Sequence, residues 1–111
     1  MNDRLLLAKK CKKTIEYILN TCENYPHKYL ELKNRIVNTS FDILENIYIS
    51  NFETSNKKYI IPKIKMLDYY LKLSYKKDII TKRKYEVTSS YLLELTKIII
   101  GWINEESKQS I

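Results

Sequence analysis

Apolar residues recur along this chain at steps of three and four, in four separate stretches. The first is Ala8, Cys11, Ile15, Ile18 and Cys22. The second is Leu32, Ile36, Ser40, Ile43 and Ile47, widened by Val37, Phe41 and Leu44. The third is Ile60, Ile64, Leu67 and Leu71; the fourth is Thr88, Leu92, Leu95, Ile99 and Trp102, preceded by Tyr85. That period puts each set on one face of an α-helix and leaves the intervening charges on the other. It predicts helices over about 3–23, 28–52, 58–77 and 81–105.

The breaks agree with these limits. Asp3 is placed to cap the first helix, which should stop before Asn24-Tyr25-Pro26 because a residue preceding proline disfavours helix. The second fades into the polar run Asn51-Phe52-Glu53-Thr54-Ser55-Asn56. Pro62 falls inside the third stripe, so that helix either begins regularly near Ile60 or Ile61, or starts earlier with a kink. Thr81 is placed to cap the fourth helix, without the acid of a capping box. Gly101 interrupts an apolar run at a cost of about 1 kcal/mol relative to Ala, which reads as the mark of a close helix contact.

Each helix is about twenty residues, or roughly 30 Å, and the connections are short. Short connections force antiparallel neighbours. The expected fold is an all-α, up-down-up-down four-helix bundle, one domain spanning residues 1–111. One Gly and two Pro are too few for the many turns of a strand-rich fold. The topology brings the first and third connections to the same end.

Charge changes the picture at that end. The net charge is +7, and residues 72–84 hold Lys72, Lys76, Lys77, Lys82, Arg83 and Lys84 against one acid, Asp78. His27, Lys28, Lys33 and Arg35 should lie beside this turn. The bundle halves are otherwise alike: residues 13–40 with 66–92 carry ten positive and six negative charges, the remainder ten and seven. The concentration is local to the turn. Two further clusters are Arg4, Lys9, Lys10, Lys12 and Lys13, and Lys57, Lys58, Lys63 and Lys65. Any one lysine on a helix face is ordinarily there for solvation, but this density points to a polyanion, held through its phosphates rather than its bases. Ten tyrosines could stack on bases, although tyrosines at helical spacing usually pack at core edges or subunit contacts.

The chain lacks the residues of most catalytic sites. Its single histidine, His27, reads as a surface or capping residue, and no Ser or Cys has another His to activate it. No spacing matches a zinc or di-iron site, and one Gly cannot build a phosphate-cradling loop. Glu45 and Glu94 flank apolar stripes, where an acid is normally solvated or paired with Lys. Neither catalysis, a cofactor nor a metal is expected. Cys11 and Cys22 are three turns apart on one helix, about 16 Å, too far to bridge. They read as reduced core residues of a cytoplasmic protein. There is neither a signal-peptide pattern nor an apolar run long enough for a membrane span.

Several motifs carry a family resemblance. They are Tyr25-Pro26-His27-Lys28 with Leu32 and Arg35-Ile36, then Ile43-Leu44-Glu45-Asn46-Ile47. The clearest lie at the end: Lys82 to Tyr85, Leu92-Leu93-Glu94-Leu95, and Lys97 through Gly101-Trp102-Ile103. Over residues 5–104 the chain resembles the four-helix-bundle family that includes the accessory variability determinant of diversity-generating retroelements. A related branch comprises small proteins encoded in intervening sequences of bacterial 23S ribosomal RNA genes. The resemblance implies a non-catalytic homopentamer that binds the retroelement reverse transcriptase and template RNA and supports mutagenic cDNA synthesis.

The leading expectation is therefore an accessory scaffold joining reverse transcriptase to RNA and cDNA, with no membrane association. Its phosphate contacts would be Lys28, Lys33, Arg35, Lys72, Lys76, Lys77, Lys82, Arg83 and Lys84. The rivals are a stand-alone RNA-associated bundle of the ribosomal intervening-sequence type, and a purely structural oligomer whose lysines keep it soluble.

Overall fold

The computed structural model describes residues 3–51 and 57–109, with side chains over 6–51 and 57–106. Four helices account for nearly all of it: α1 (Asp3–Cys22), α2 (Leu30–Ser50), α3 (Lys57–Lys76) and α4 (Lys82–Gln109). A single 3-10 turn, His27–Tyr29, leads into α2. Each helix packs against its neighbours in the order α1, α2, α3, α4 and back to α1, while the diagonal pairs stay apart. The body measures 51 × 22 × 19 Å. This is the expected all-α bundle.

Cross-helix pairs fix the antiparallel sense. Lys10 reaches Glu94 at 2.8 Å, and Tyr17 meets Tyr91 edge-on at 5.6 Å, so α1 and α4 run in opposite directions. Lys63 to Asp42 at 3.9 Å links α3 to α2, and the Tyr85 hydroxyl donates to Asp68 at 3.3 Å between α4 and α3. Glu94 is thus paired with a lysine, whereas Glu45 is exposed.

The apolar stripes face inward as their period requires. Every residue of the first, third and fourth stripes is buried, and the second is buried from Ile36 onward. Phe41 departs from this pattern at 47% exposed, because the interior of α2 needs only the narrow Ile36, Ser40, Ile43, Ile47 line. Most buried hydroxyls are satisfied within their own helices, Ser50 of α2 and Tyr25 being exceptions without a hydrogen-bond partner among the described residues. Ser40 donates to the Val37 carbonyl at 2.7 Å, Ser74 to Tyr70 at 3.0 Å and Thr88 to Lys84 at 2.8 Å. These groups therefore sit in the core without needing partners on other helices.

Two expectations are corrected. Gly101 marks no close contact: it is exposed, and a Cβ built on it meets nothing within 4 Å. Lys57 is not a surface charge: it is 1% exposed, with its ammonium 2.6 Å from Glu106 and 4.1 Å from the centre of the Trp102 ring. Of the two alternatives for Pro62, the earlier start holds, since α3 begins at Lys57 and Pro62 lies inside it. The missing amide leaves the Lys58 carbonyl without its i+4 donor, on the exposed face where water can reach it. The helix α1 already includes Asp3, whose side chain is outside the described residues, as is the polar run 52–56. Among the described residues, no helix is long and apolar enough to cross a membrane.

Candidate nucleic-acid interface

The basic turn is built by two capping devices in succession. At the end of α3, the Lys77 amide donates to the Leu73 carbonyl at 2.9 Å, Asp78 to Tyr75 at 3.0 Å and Ile79 to Ser74 at 2.9 Å. The last two bonds form a Schellman motif. That motif needs a left-handed residue, and Asp78 supplies it at φ 60°, where glycine is the usual occupant. Ile79 and Ile80 then turn inward, Ile80 to full burial, and close the end of the core. Thr81 caps α4 as its position requires: its hydroxyl accepts the Lys84 amide at 3.1 Å, and its carbonyl accepts that of Tyr85.

Rings brace the turn from inside. Tyr75 at the end of α3 and Tyr85 at the start of α4 stack with centroids 5.9 Å apart and planes 4° from parallel. Burial, and then the Asp68 carboxylate, hold the Tyr85 hydroxyl above its usual pKa. Tyr25 comes in from the first connection, its hydroxyl buried near Ser74 and the Cys22 thiol without a hydrogen-bond partner among the described residues. Burial pushes its pKa up to about 12. This contact fixes the first and third connections at one end of the bundle.

The charges lie on the outer surface of that frame. Lys76, Lys77, Lys82, Arg83 and Lys84 are all exposed. Among the described residues, none of the five has a carboxylate within ion-pair distance. No acid stands in the first turn of α4, although the positive end of a helix dipole favours acids there. Three cations at that end add to the field of the helix terminus, so an anion approaching it meets both.

The remaining expected contacts divide. Lys28 shares this end but sits over the Tyr29 ring at 5.2 Å, and Lys33 lies half-buried beside Cys22. Arg35 is drawn to Glu31, 3.7 Å away on its own helix. Lys72 is exposed one turn before Lys76, on the outer face of α3. His27 is exposed at the start of the 3-10 turn.

Elsewhere the surface offers shallow apolar hollows. One of about 400 Å³ is lined by Phe41, Leu44, Glu45, Tyr48 and Ile49 of α2. Another, of about 270 Å³, lies between α3 and α4 around Asp68, Ser89 and Leu93. The described residues include no group of three or more His, Cys, Asp or Glu placed to hold a metal ion. Both thiols are buried, and burial pushes Cys11 up to about 12 and Cys22 to about 11. A thiol held protonated in this way is a poor nucleophile.

Sequence reading separated the lysines of α3 into a starting cluster and a turn cluster, and so missed how the helix sorts them. It also missed the inward Lys57. The third stripe extended by a step of three in each direction lands on Lys57 and Ser74, both buried. Compared with known proteins, the chain matches no family model and no curated protein.

Proposed function

We propose that this protein is a non-catalytic, nucleic-acid-binding bundle that holds phosphate backbone at the end formed by residues 76–84. The observation that carries the reading is five exposed cations, free of carboxylate partners among the described residues, on a turn locked by two caps. Fixed positive charge of this kind binds polyanions by counterion release, with little dependence on sequence. Lys28, Lys33 and Lys72 extend the field around the turn, and Arg35 contributes once it leaves Glu31.

The motif resemblance supports a more specific role. The bundle would serve a diversity-generating retroelement as the accessory scaffold that joins reverse transcriptase to template RNA and cDNA. A homopentamer would bring five such turns around one axis, turning a modest patch into a strong site. Charge reversal at Lys76, Lys77, Lys82, Arg83 and Lys84 tests the surface. Loss of RNA retention and of cDNA yield is expected, and unchanged values would overturn the assignment. Co-purification with the reverse transcriptase tests the role.

A further inference from the structure

The turn does not account for the rest of α3. That helix holds six lysines against one acid, and its packing sorts them by direction. Lys57 goes inward to Glu106, and Lys63 turns to Asp42 of α2. Lys58, Lys65, Lys72 and Lys76 are exposed. Positions 58, 62, 65, 69, 72 and 76 advance by four, three, four, three and four, so they form one line down the outer edge of the helix. At 1.5 Å per residue the line is about 27 Å long, and Lys58, Lys65 and Lys72 are about 10 Å apart along it. The single acid of α3, Asp68, is off the line, facing Tyr85 of α4.

An aromatic ring sits within this line. Tyr69 is 53% exposed between Lys65 and Lys72. Its neighbour Tyr70 is tilted by 50° at 6.3 Å and does not cover the ring face. The tyrosines nearer the turn are already engaged. Tyr75 and Tyr85 cover each other, and Lys28 covers Tyr29. A row of cations with one open ring is what a single strand needs, because its phosphates can follow the charges while an unstacked base lies on the ring. A duplex keeps its bases stacked on one another and would use the charges alone.

We infer that the outer edge of α3 is a track for single-stranded nucleic acid, leading from the turn to Lys58, with one base stacked on Tyr69. The inference rests on the nucleic-acid role proposed above, and adds to it the class of ligand and the path it takes.

Fluorescence anisotropy with a short labelled oligouridylate, and with a hairpin duplex of equal phosphate number, tests it on the full-length protein. The single strand should bind more tightly. Tyr69→Ala should weaken that binding about fivefold or more and leave the duplex unchanged, while Tyr69→Phe should match the wild type. The pair Lys58→Glu and Lys65→Glu should weaken it more than Lys9→Glu with Lys13→Glu, an equal charge change on exposed positions of α1. All these positions are at the surface, where substitutions change stability little, so the variants fold. A duplex preference, an unaffected Tyr69→Ala, or equal losses from the track and α1 pairs would overturn the track. If the Tyr69→Ala variant and the Lys58→Glu, Lys65→Glu pair bind like the wild type while Lys82→Glu, Arg83→Glu, Lys84→Glu abolishes binding, the turn site stands and the track falls. If the wild type binds neither probe at low salt, both fall.

Discussion

Lys57 and Glu106 form a buried ion pair, 2.6 Å long, that ties the first residue of α3 to the far end of α4. The pair is unequal, because the lysine is 1% exposed and the glutamate 27%. Removing the carboxylate takes away a negative charge 2.6 Å from a buried cation, whereas removing the cation leaves an acid that can turn to water. Glu106→Ala is expected to cost about 3 kcal/mol. Lys57→Met, which keeps an apolar stem against Trp102, should cost about 1 kcal/mol. Urea unfolding followed by circular dichroism measures both, and equal losses would refute the asymmetry.

Gly101 lies in open space inside α4, with no backbone feature that needs glycine. Gly101→Ala should stabilise the bundle by about 1 kcal/mol, by lowering the entropy of the unfolded chain. The same urea titration would show a raised midpoint with an unchanged slope. A destabilised variant would mean that something packs on this face.

Asp78 occupies a left-handed position and is also the one acid among the turn's cations. Two substitutions separate these roles. Asp78→Gly should relieve the backbone and stabilise by up to about 1 kcal/mol, while Asp78→Asn tolerates the same φ with little change. Both remove the negative charge, so both should tighten RNA binding at low salt and steepen its salt dependence. A gain in affinity for the glycine variant alone would assign the effect to backbone freedom instead.

The buried thiols and Tyr25 make stability fall at alkaline pH. Their folded pKa values, about 12 for Cys11, 11 for Cys22 and 12 for Tyr25, lie above those of the unfolded chain. The stability they contribute is full below about pH 9 and declines as pH rises from there toward 11–12, because only the unfolded state releases its protons in that window. Each group adds a slope of about 1.4 kcal/mol per pH unit. Replacing Cys11 and Cys22 with alanine should flatten the decline. A disulfide reagent such as DTNB at pH 8 should label neither cysteine until denaturant is added. Prompt labelling of the folded protein would contradict their burial.

The interior was legible because burial in a bundle follows the helical period, and nearly every stripe residue from Ala8 to Trp102 obeys it. Thr81 was legible too, since a hydroxyl before an apolar period has one obvious task. The failures have specific causes. Glycine in a helix reads the same whether its missing side chain admits a neighbour or faces water, so Gly101 was ambiguous until its surroundings were known. Lys57 was misread because its partners, Trp102 and Glu106, are more than forty residues away. The candidate site was only half legible. Charge density located the turn, but the line from Lys58 to Lys76 appears only once the inner and outer faces of α3 are separated.

The Lys57 contact also gives the molecule an optical gauge. Trp102 is the sole tryptophan, 5% exposed beneath a cation, and it lies at the pole opposite the basic turn of a body 51 Å long. Its emission will register whether α3 and α4 remain joined there; a strand held at the turn alone is too distant to quench it, whereas one that follows α3 to Lys58 ends next to Lys57. Folding and binding can therefore be followed in one sample, the first through the intrinsic indole and the second through the label on the oligonucleotide.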